Sequence, residues 1–269
     1  VNGYVFGATD LVDEQREAMQ RCLDPITFAR LESLGVGQGW RCLDVGGGGG
    51  SVADRLGEKV GETGSVLVTD TAPDGLRSRG NVEVRQHDIV TDELPEGEFD
   101  LVHARLVLLH LPERRRALAR MVRALKPGGW LLLGEFDCTW LRVLATTDPA
   151  AGVVFARFHR ALCAVLEQAG ADVEWGVHAY QAVQDLGLVE IGSHAGAQPW
   201  PGGGDGARWL EINSRQLEDR LLGTGLVTAG DLDGVRASLS DPAFVVSSYL
   251  TISTWGRRPL DDTPGRAAR

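Results

Sequence analysis

An α/β fold with a mostly parallel sheet and helices on both of its faces is what this sequence predicts, on two observations. Through the first half, short β-rich runs alternate with amphipathic helical stretches, the pattern of parallel strands joined by crossover helices. A run of five glycines at 46–50 then stands between the first such strand and the first such helix. Glycine loses more backbone freedom on folding than any other residue, so ordering five in a row is costly. The usual return is a close approach of backbone to a bound ligand.

The elements follow in order. Residues 10–35 carry helical spacing, broken at Pro25 and stopped at Gly35. Strand-like runs follow at 41–45, 65–70, 81–88, 99–104 and 130–136. Helices at 51–60 and 113–125 separate the first and last pairs, and a weaker, proline-bounded segment at 72–79 lies between the second and third. Farther on, 150–170 and 177–186 read as helices and 188–197 as a strand. A loop at 199–206, helices at 207–222 and 231–239, and a last β-rich run at 243–255 complete the pattern. The division expected is N-terminal lid helices at 1–35, a ligand-binding core at 36–138, cap helices with the last two strands at 139–258, and a disordered tail at 259–269.

Composition narrows the partners. The 269 residues carry a net charge of −10, which disfavours a nucleic-acid partner because phosphate binding needs a basic face. The one arginine-rich stretch, 112–129, places Leu118, Val122 and Leu125 inward and leaves its arginines to solvent. Cys22, Cys42, Cys138 and Cys163 show no metal-ligand or redox spacing, so the expectation is no metal and reduced thiols in a reducing compartment. The opening residues lack a leader pattern and no apolar stretch reads as a membrane span, which predicts a cytoplasmic protein without a membrane partner.

A glycine loop between a strand and a helix sets backbone amides and the positive end of a helix dipole at the ligand-binding edge of a sheet. The dinucleotide fingerprint needs glycines at i, i+2 and i+5. From Gly46 the last position is Ser51, and from Gly47 it is Val52, so neither register fits. The pattern acidic-x-Gly-x-Gly-x-Gly fits throughout, with Asp44, Gly46, Gly48 and Gly50. In these residues, in "VTD" ending at Asp70, in "HDI" at 87–89, in "FDLVHARLVLLHL" at 99–111 and in "LKPGGWLLLGE" at 125–135, the chain resembles the class I S-adenosylmethionine-dependent methyltransferases. The resemblance is strongest over 35–134.

It implies a Rossmann-like seven-stranded sheet with an antiparallel last strand, and a helical cap or lid. It also implies S-adenosylmethionine as cofactor and S-adenosylhomocysteine as product. Asp44, Gly46, Gly48 and Gly50 would form the cradle, with Asp70 and Thr71 at the ribose and Asp88 and Ile89 at the adenine. Ala104 and Arg105 would pass the methionine end, and Tyr4 would fold over the cofactor.

Methyl transfer from a sulfonium is an in-line displacement, and alignment alone supplies roughly 7–11 kcal/mol in well-oriented reactions. His110 is the candidate base. Trp140, Trp175, Trp200 and Trp209 fall in the second half, where indoles suit a flat apolar molecule, and Trp140, His159 and His178 are the candidates for the acceptor side. Arg105 is expected to hold an acidic substrate or to pair with Glu135 or Asp137. The acceptor expected is a small aromatic or polycyclic metabolite of bacterial secondary metabolism, methylated on oxygen by preference and on nitrogen or carbon otherwise. The protein is expected to be a monomer or homodimer. A nicotinamide-dependent reductase and a non-catalytic cofactor-binding partner protein stand as alternatives.

Overall fold

The computed structural model describes residues 5–6 and 10–260. Tyr4 and residues 261–269 of the expected tail lie outside the described residues.

After helix α1 (Val12–Ser33), the first half runs β1 (Arg41–Val45), α2 (Ser51–Val60), β2 (Ser65–Asp70), β3 (Val82–Gln86), β4 (Phe99–Arg105), α3 (Arg114–Ala124) and β5 (Leu125–Asp137). The second half runs β6 (Val143–Ala145), α4 (Pro149–Gln168), α5 (Trp175–Asp185), β7 (Val189–Gly196), β8 (Pro199–Pro201), α6 (Asp205–Gln216), α7 (Glu218–Gly223), α8 (Ala229–Ser240), β9 (Val245–Ser247) and β10 (Leu250–Arg257). Seven strands form the main sheet in the order β3-β2-β1-β4-β5-β10-β7. Strands β1 to β5 are mutually parallel, and β10, the last strand, is antiparallel to both its neighbours. This is the seven-stranded, mostly parallel arrangement expected.

Two apolar clusters cover the two faces of this sheet. One gathers β4, β5, α3 and α5 residues around Phe99, Leu118 and Trp175; the other gathers Leu31, Leu56 and Val68 beneath α1 and α2. A third cluster, around Phe155, Phe158, Leu210 and Leu232, is the core of a cap built from α4, α6, α7 and α8. The strand order reverses between β1 and β4, so their carboxyl ends open a crevice beneath the cap, the place where open α/β sheets bind ligands.

Several local expectations are corrected. Helix α1 runs unbroken through Pro25. A proline costs a helix one hydrogen bond and a steric clash, but Asp24 and Thr27 on either side are both bonded to Arg105, which holds the two halves in line. Residues 72–79 form no helix. The last β-rich run splits into β9 and β10, and β9 joins β6 and β8 in a small antiparallel sheet within the cap. Helix α4 is long and apolar enough by composition to cross a membrane, contrary to the sequence reading; Phe155, Phe158, Leu162 and Leu166 on one face of it pack into the cap core. The arginines of α3 are largely exposed as expected, Arg115 and Arg123 pairing at the surface with Asp185 and Glu96; Arg114 departs from this, partly buried and bonded to the Gly170 carbonyl.

Candidate active site

The five glycines divide into two kinds. Gly46, Gly48 and Gly50 have φ of +72°, +55° and +83°, the left-handed region that L side chains avoid. Gly47 and Gly49 do not; a Cβ on Gly47 would overlap Val68 Cγ1, and one on Gly49 would overlap the Gln20 amide of α1. The alternate motif positions thus need glycine for conformation; Gly47 needs it for room against Val68, while at Gly49 the overlap is with the movable end of the Gln20 side chain. Gly46 and Gly47 both donate to the Thr69 carbonyl, at 2.7 and 3.2 Å, which pins the loop to the end of β2.

Asp70 closes that end. Its Oδ2 accepts from Gly48 N at 3.1 Å and its Oδ1 from Ala72 N at 2.9 Å, and the carboxylate lies at the wall of the crevice with Thr71 beside it. Asp88 and Ile89 line the same wall; Asp88 Oδ1 also accepts from Val90 N at 2.8 Å, so part of its capacity forms a turn. Asp44 is not on the wall. It is buried beneath the loop, where its Oδ1 accepts from His103 Nδ1 at 2.7 Å. Its place beneath the loop fixes β1 to β4 and sets the loop's root.

The exit of β4 forms the facing wall. Ala104 is fully buried between β1 and β5 and turns away from the crevice. Arg105 lines it, but its guanidinium is engaged by Asp24 Oδ1 at 2.8 Å and Thr27 Oγ1 at 3.1 Å. The expected pairing of Arg105 with Glu135 or Asp137 is therefore corrected: α1 supplies the partner. Leu106 follows at φ +54°, a strained conformation for a leucine, where the chain turns into a 3₁₀ helix at Leu108–His110. Glu135 holds this turn, its Oε1 accepting from Leu108 N at 3.0 Å. Burial pushes the Glu135 carboxyl up to about 8 against the lowering effect of those backbone donors.

His110 lines the crevice, edge-on to Phe6 at 6.3 Å between ring centres. Burial, with Arg114 nearby, brings its imidazole down to about 4. It is neutral at pH 7.

The crevice is one continuous cavity of about 710 Å³ that runs from the glycine loop to the cap. Its cap wall is aromatic and apolar. Phe136 and Tyr249 lie 5.0 Å apart, Trp209 stands 5.8 Å from Phe136, and Leu162, Leu166 and Met19 fill the remainder. None of the three acceptor-side residues read from the sequence is on this wall. Trp140 is 45% exposed and stacks against Arg142. His178 lies on α5 in an ion pair with Asp172. His159 lies behind the wall, donating from Nε2 to the Cys138 carbonyl at 2.7 Å, with its ring 6.4 Å from that of Tyr249. Trp209 is one of four indoles of the second half named from the sequence; Phe136, Tyr249 and the buried pair Gln15 and Asn213 carry no such signal, since no local pattern joins residues that only the cap's folding brings together.

Five carboxylates, Asp10, Asp13, Asp70, Asp74 and Asp88, line the glycine-loop half of the cavity. Among the described residues Arg16 is the cation that faces them there, bonded to the Asp74 carbonyl at 3.4 Å.

Residues 43–133, which carry the glycine loop, Asp70, Asp88 and the β4 exit, match the family model described as a methyltransferase domain. This likeness to a methyltransferase domain covers about a third of the chain. Over 152 residues it is 30% identical to methyltransferase str3 of Strobilurus tenacellus, covering 56% of this chain and 54% of the relative. Over 117 residues it is 35% identical to the ubiquinone/menaquinone biosynthesis C-methyltransferase UbiE of Erwinia tasmaniensis, covering 40% of this chain and 47% of the relative. The chain thus spans about half the length of these curated relatives. In structure, a candidate methyltransferase of Bacillus halodurans C-125 superposes with a TM-score of 0.58 at 17% identity, over 86% of this chain and 98% of that one. The matched segment, 43–133, supplies the glycine loop and crevice-wall residues from Val45 to Leu111; the cap outside it supplies Trp209 and Tyr249.

Proposed function

We propose that this protein transfers a methyl group from S-adenosylmethionine to a small, apolar, aromatic or polycyclic metabolite, with oxygen the preferred acceptor atom. The single observation that carries the reading is the continuity of the cavity from the glycine loop and Asp70 to the aromatic wall of Phe136, Trp209 and Tyr249. The residues fit the cofactor. A left-handed, side-chain-free loop leaves room for a nucleoside, and the acid at the end of β2 retains acceptor capacity for ribose hydroxyls beyond its two backbone bonds. Asp88 and Ile89 offer an acceptor and an apolar face to a purine.

When bound, the cofactor supplies an already activated methyl on a positively charged sulfur. The protein's contribution is then alignment and exclusion of water. The acidic cofactor half of the cavity attracts a cationic ligand over a neutral one. The Asp24–Arg105 pair ties α1 against the β4 exit, so that the lid helix and the crevice wall form one surface. His110 is a poor match for a general base, because an efficient base has a pKa near the working pH and this imidazole is held at about 4. Its role is a neutral wall.

The test is transfer of label from methyl-tritiated S-adenosylmethionine to a panel of hydroxylated naphthalenes and quinones, read in the organic extract. The proposal expects transfer to at least one member and its loss in Asp70→Ala. Transfer to none, by protein that binds the cofactor, would count against the acceptor class.

A further inference from the structure

The otherwise apolar cap wall contains a pair of buried amides. Gln15 of α1 and Asn213 of α6 stand 198 residues apart in sequence, and Gln15 Nε2 donates to Asn213 Oδ1 at 2.7 Å. Both line the cavity while being only 6% and 4% exposed. Two primary amides hold two carbonyl oxygens and two NH₂ groups, and their mutual bond uses one oxygen and one N–H. Gln15 Oε1 and Asn213 Nδ2 have no protein partner among the described residues. Exchanging oxygen and nitrogen in both amides leaves the same remainder, one acceptor and one donor.

The surroundings define what could use that remainder. Phe136, Trp209, Tyr249 and Leu162 on this wall carry no charge, and the guanidinium of Arg105 is taken by Asp24. His110 is neutral at pH 7. An ionised acceptor group placed here would be desolvated without a counter-charge, which is strongly disfavoured. A ring that carries no oxygen or nitrogen would cover the amides and leave them unpaired, which is also costly. A neutral hydroxyl or carbonyl on a flat ring meets both conditions.

We infer that the Gln15–Asn213 amide pair determines acceptor specificity, selecting a neutral apolar ring by a hydroxyl or carbonyl substituent that exchanges hydrogen bonds with it. The inference rests on the methyl-transfer reading and narrows its acceptor class. It also gives α1 a second task, since the amide that it contributes is half of the recognition pair.

Equilibrium dialysis of the S-adenosylhomocysteine-saturated protein against 2-naphthol, naphthalene and 2-naphthoate tests it. The expected result is 2-naphthol bound at least tenfold more tightly than either of the other two. In Asn213→Leu that preference over naphthalene should collapse to within about threefold. Because that change orphans Gln15, the double variant Gln15→Leu/Asn213→Leu is measured beside it; it removes both amides together and should show the same collapse with normal folding. Equal binding of 2-naphthol and naphthalene by the wild type, no binding of 2-naphthol, or a preference kept in the double variant would overturn the inference. Calorimetry with S-adenosylhomocysteine on the same preparations separates the two readings: failure to bind it counts against methyl transfer itself, whatever the dialysis gives.

Discussion

The Asp70 carboxylate accepts a hydrogen bond from the backbone N–H of Gly48 at 3.1 Å, so the acid at the end of β2 and the middle of the glycine loop are one unit. An acid in this position shapes the loop and, in the proposed function, also faces the cofactor. Asp70→Ala should therefore weaken S-adenosylmethionine binding by about 1.5–3 kcal/mol for each charged hydrogen bond lost. Calorimetry on the folded variant is the check, and an unchanged affinity would remove Asp70 from the site.

Gly46 tests the division of the glycines. A Cβ there would overlap Val107 Cγ2 at a φ of +72°, whereas at Gly75, with φ +90°, nothing lies within 4 Å. Gly75→Ala should cost only the backbone strain, about 1–2 kcal/mol. Gly46→Ala should cost a further 1–3 kcal/mol or so from overpacking, and adding Val107→Ala should recover that difference. Urea unfolding of the three variants measures it.

Glu135 gives the fold a pH dependence of defined sign. Burial holds its carboxyl at about 8 in the folded protein against the ordinary glutamate value of about 4.5, so over that interval the folded state holds a proton that the unfolded chain has released. Stability is therefore lost as pH rises through the interval. His110 acts oppositely, because between about 4 and 6.5 the unfolded chain takes up a proton that the folded state refuses. The two effects offset each other between pH 4.5 and 6.5, and above 6.5 only that of Glu135 remains. Between pH 6.5 and 8 the protein should lose about 2 kcal/mol, and Glu135→Gln should flatten that fall. Melting temperatures across this range would show it; a wild-type profile as flat as that of the variant would place the Glu135 carboxyl elsewhere on the scale.

The ion pair between Asp24 and Arg105, 2.8 Å long and largely buried, ties the lid helix to the crevice. Arg105→Leu should destabilise by about 3 kcal/mol, because it leaves Asp24 with Ser51 and no counter-charge. Asp24→Leu/Arg105→Leu should cost less than the sum of the single changes. A double-mutant cycle by denaturant titration decides it, and strict additivity would mean that the pair does not couple.

The parallel sheet, the glycine loop and the acids at the ends of β2 and β3 were legible because each is local: a periodicity, a spacing, a strand end. The spacing of alternate glycines even carried the conformational reason, since Gly46, Gly48 and Gly50 are the left-handed ones. The cap was not legible in the same way. Trp140 and Trp209 look alike in sequence, yet one is 45% exposed and the other 5%, because only the packing of α6 beneath β8 and β9 decides which indole turns inward. His159 and His178 are titratable groups, but each already spends a ring nitrogen on a protein partner, His159 on the Cys138 carbonyl and His178, on α5, on Asp172. The Gln15–Asn213 pair leaves no trace in either local segment. The continuity of α1 through Pro25 was misread for the same reason, since Arg105, which bonds residues on either side, comes from a distant strand.

The most direct test of the account is calorimetric titration of the purified protein with S-adenosylmethionine, S-adenosylhomocysteine, NAD and NADP in parallel. The account predicts micromolar binding of the two adenosyl compounds and none of either dinucleotide. Binding of a nicotinamide dinucleotide in place of the adenosyl pair would contradict it and make the glycine loop a cradle for hydride chemistry.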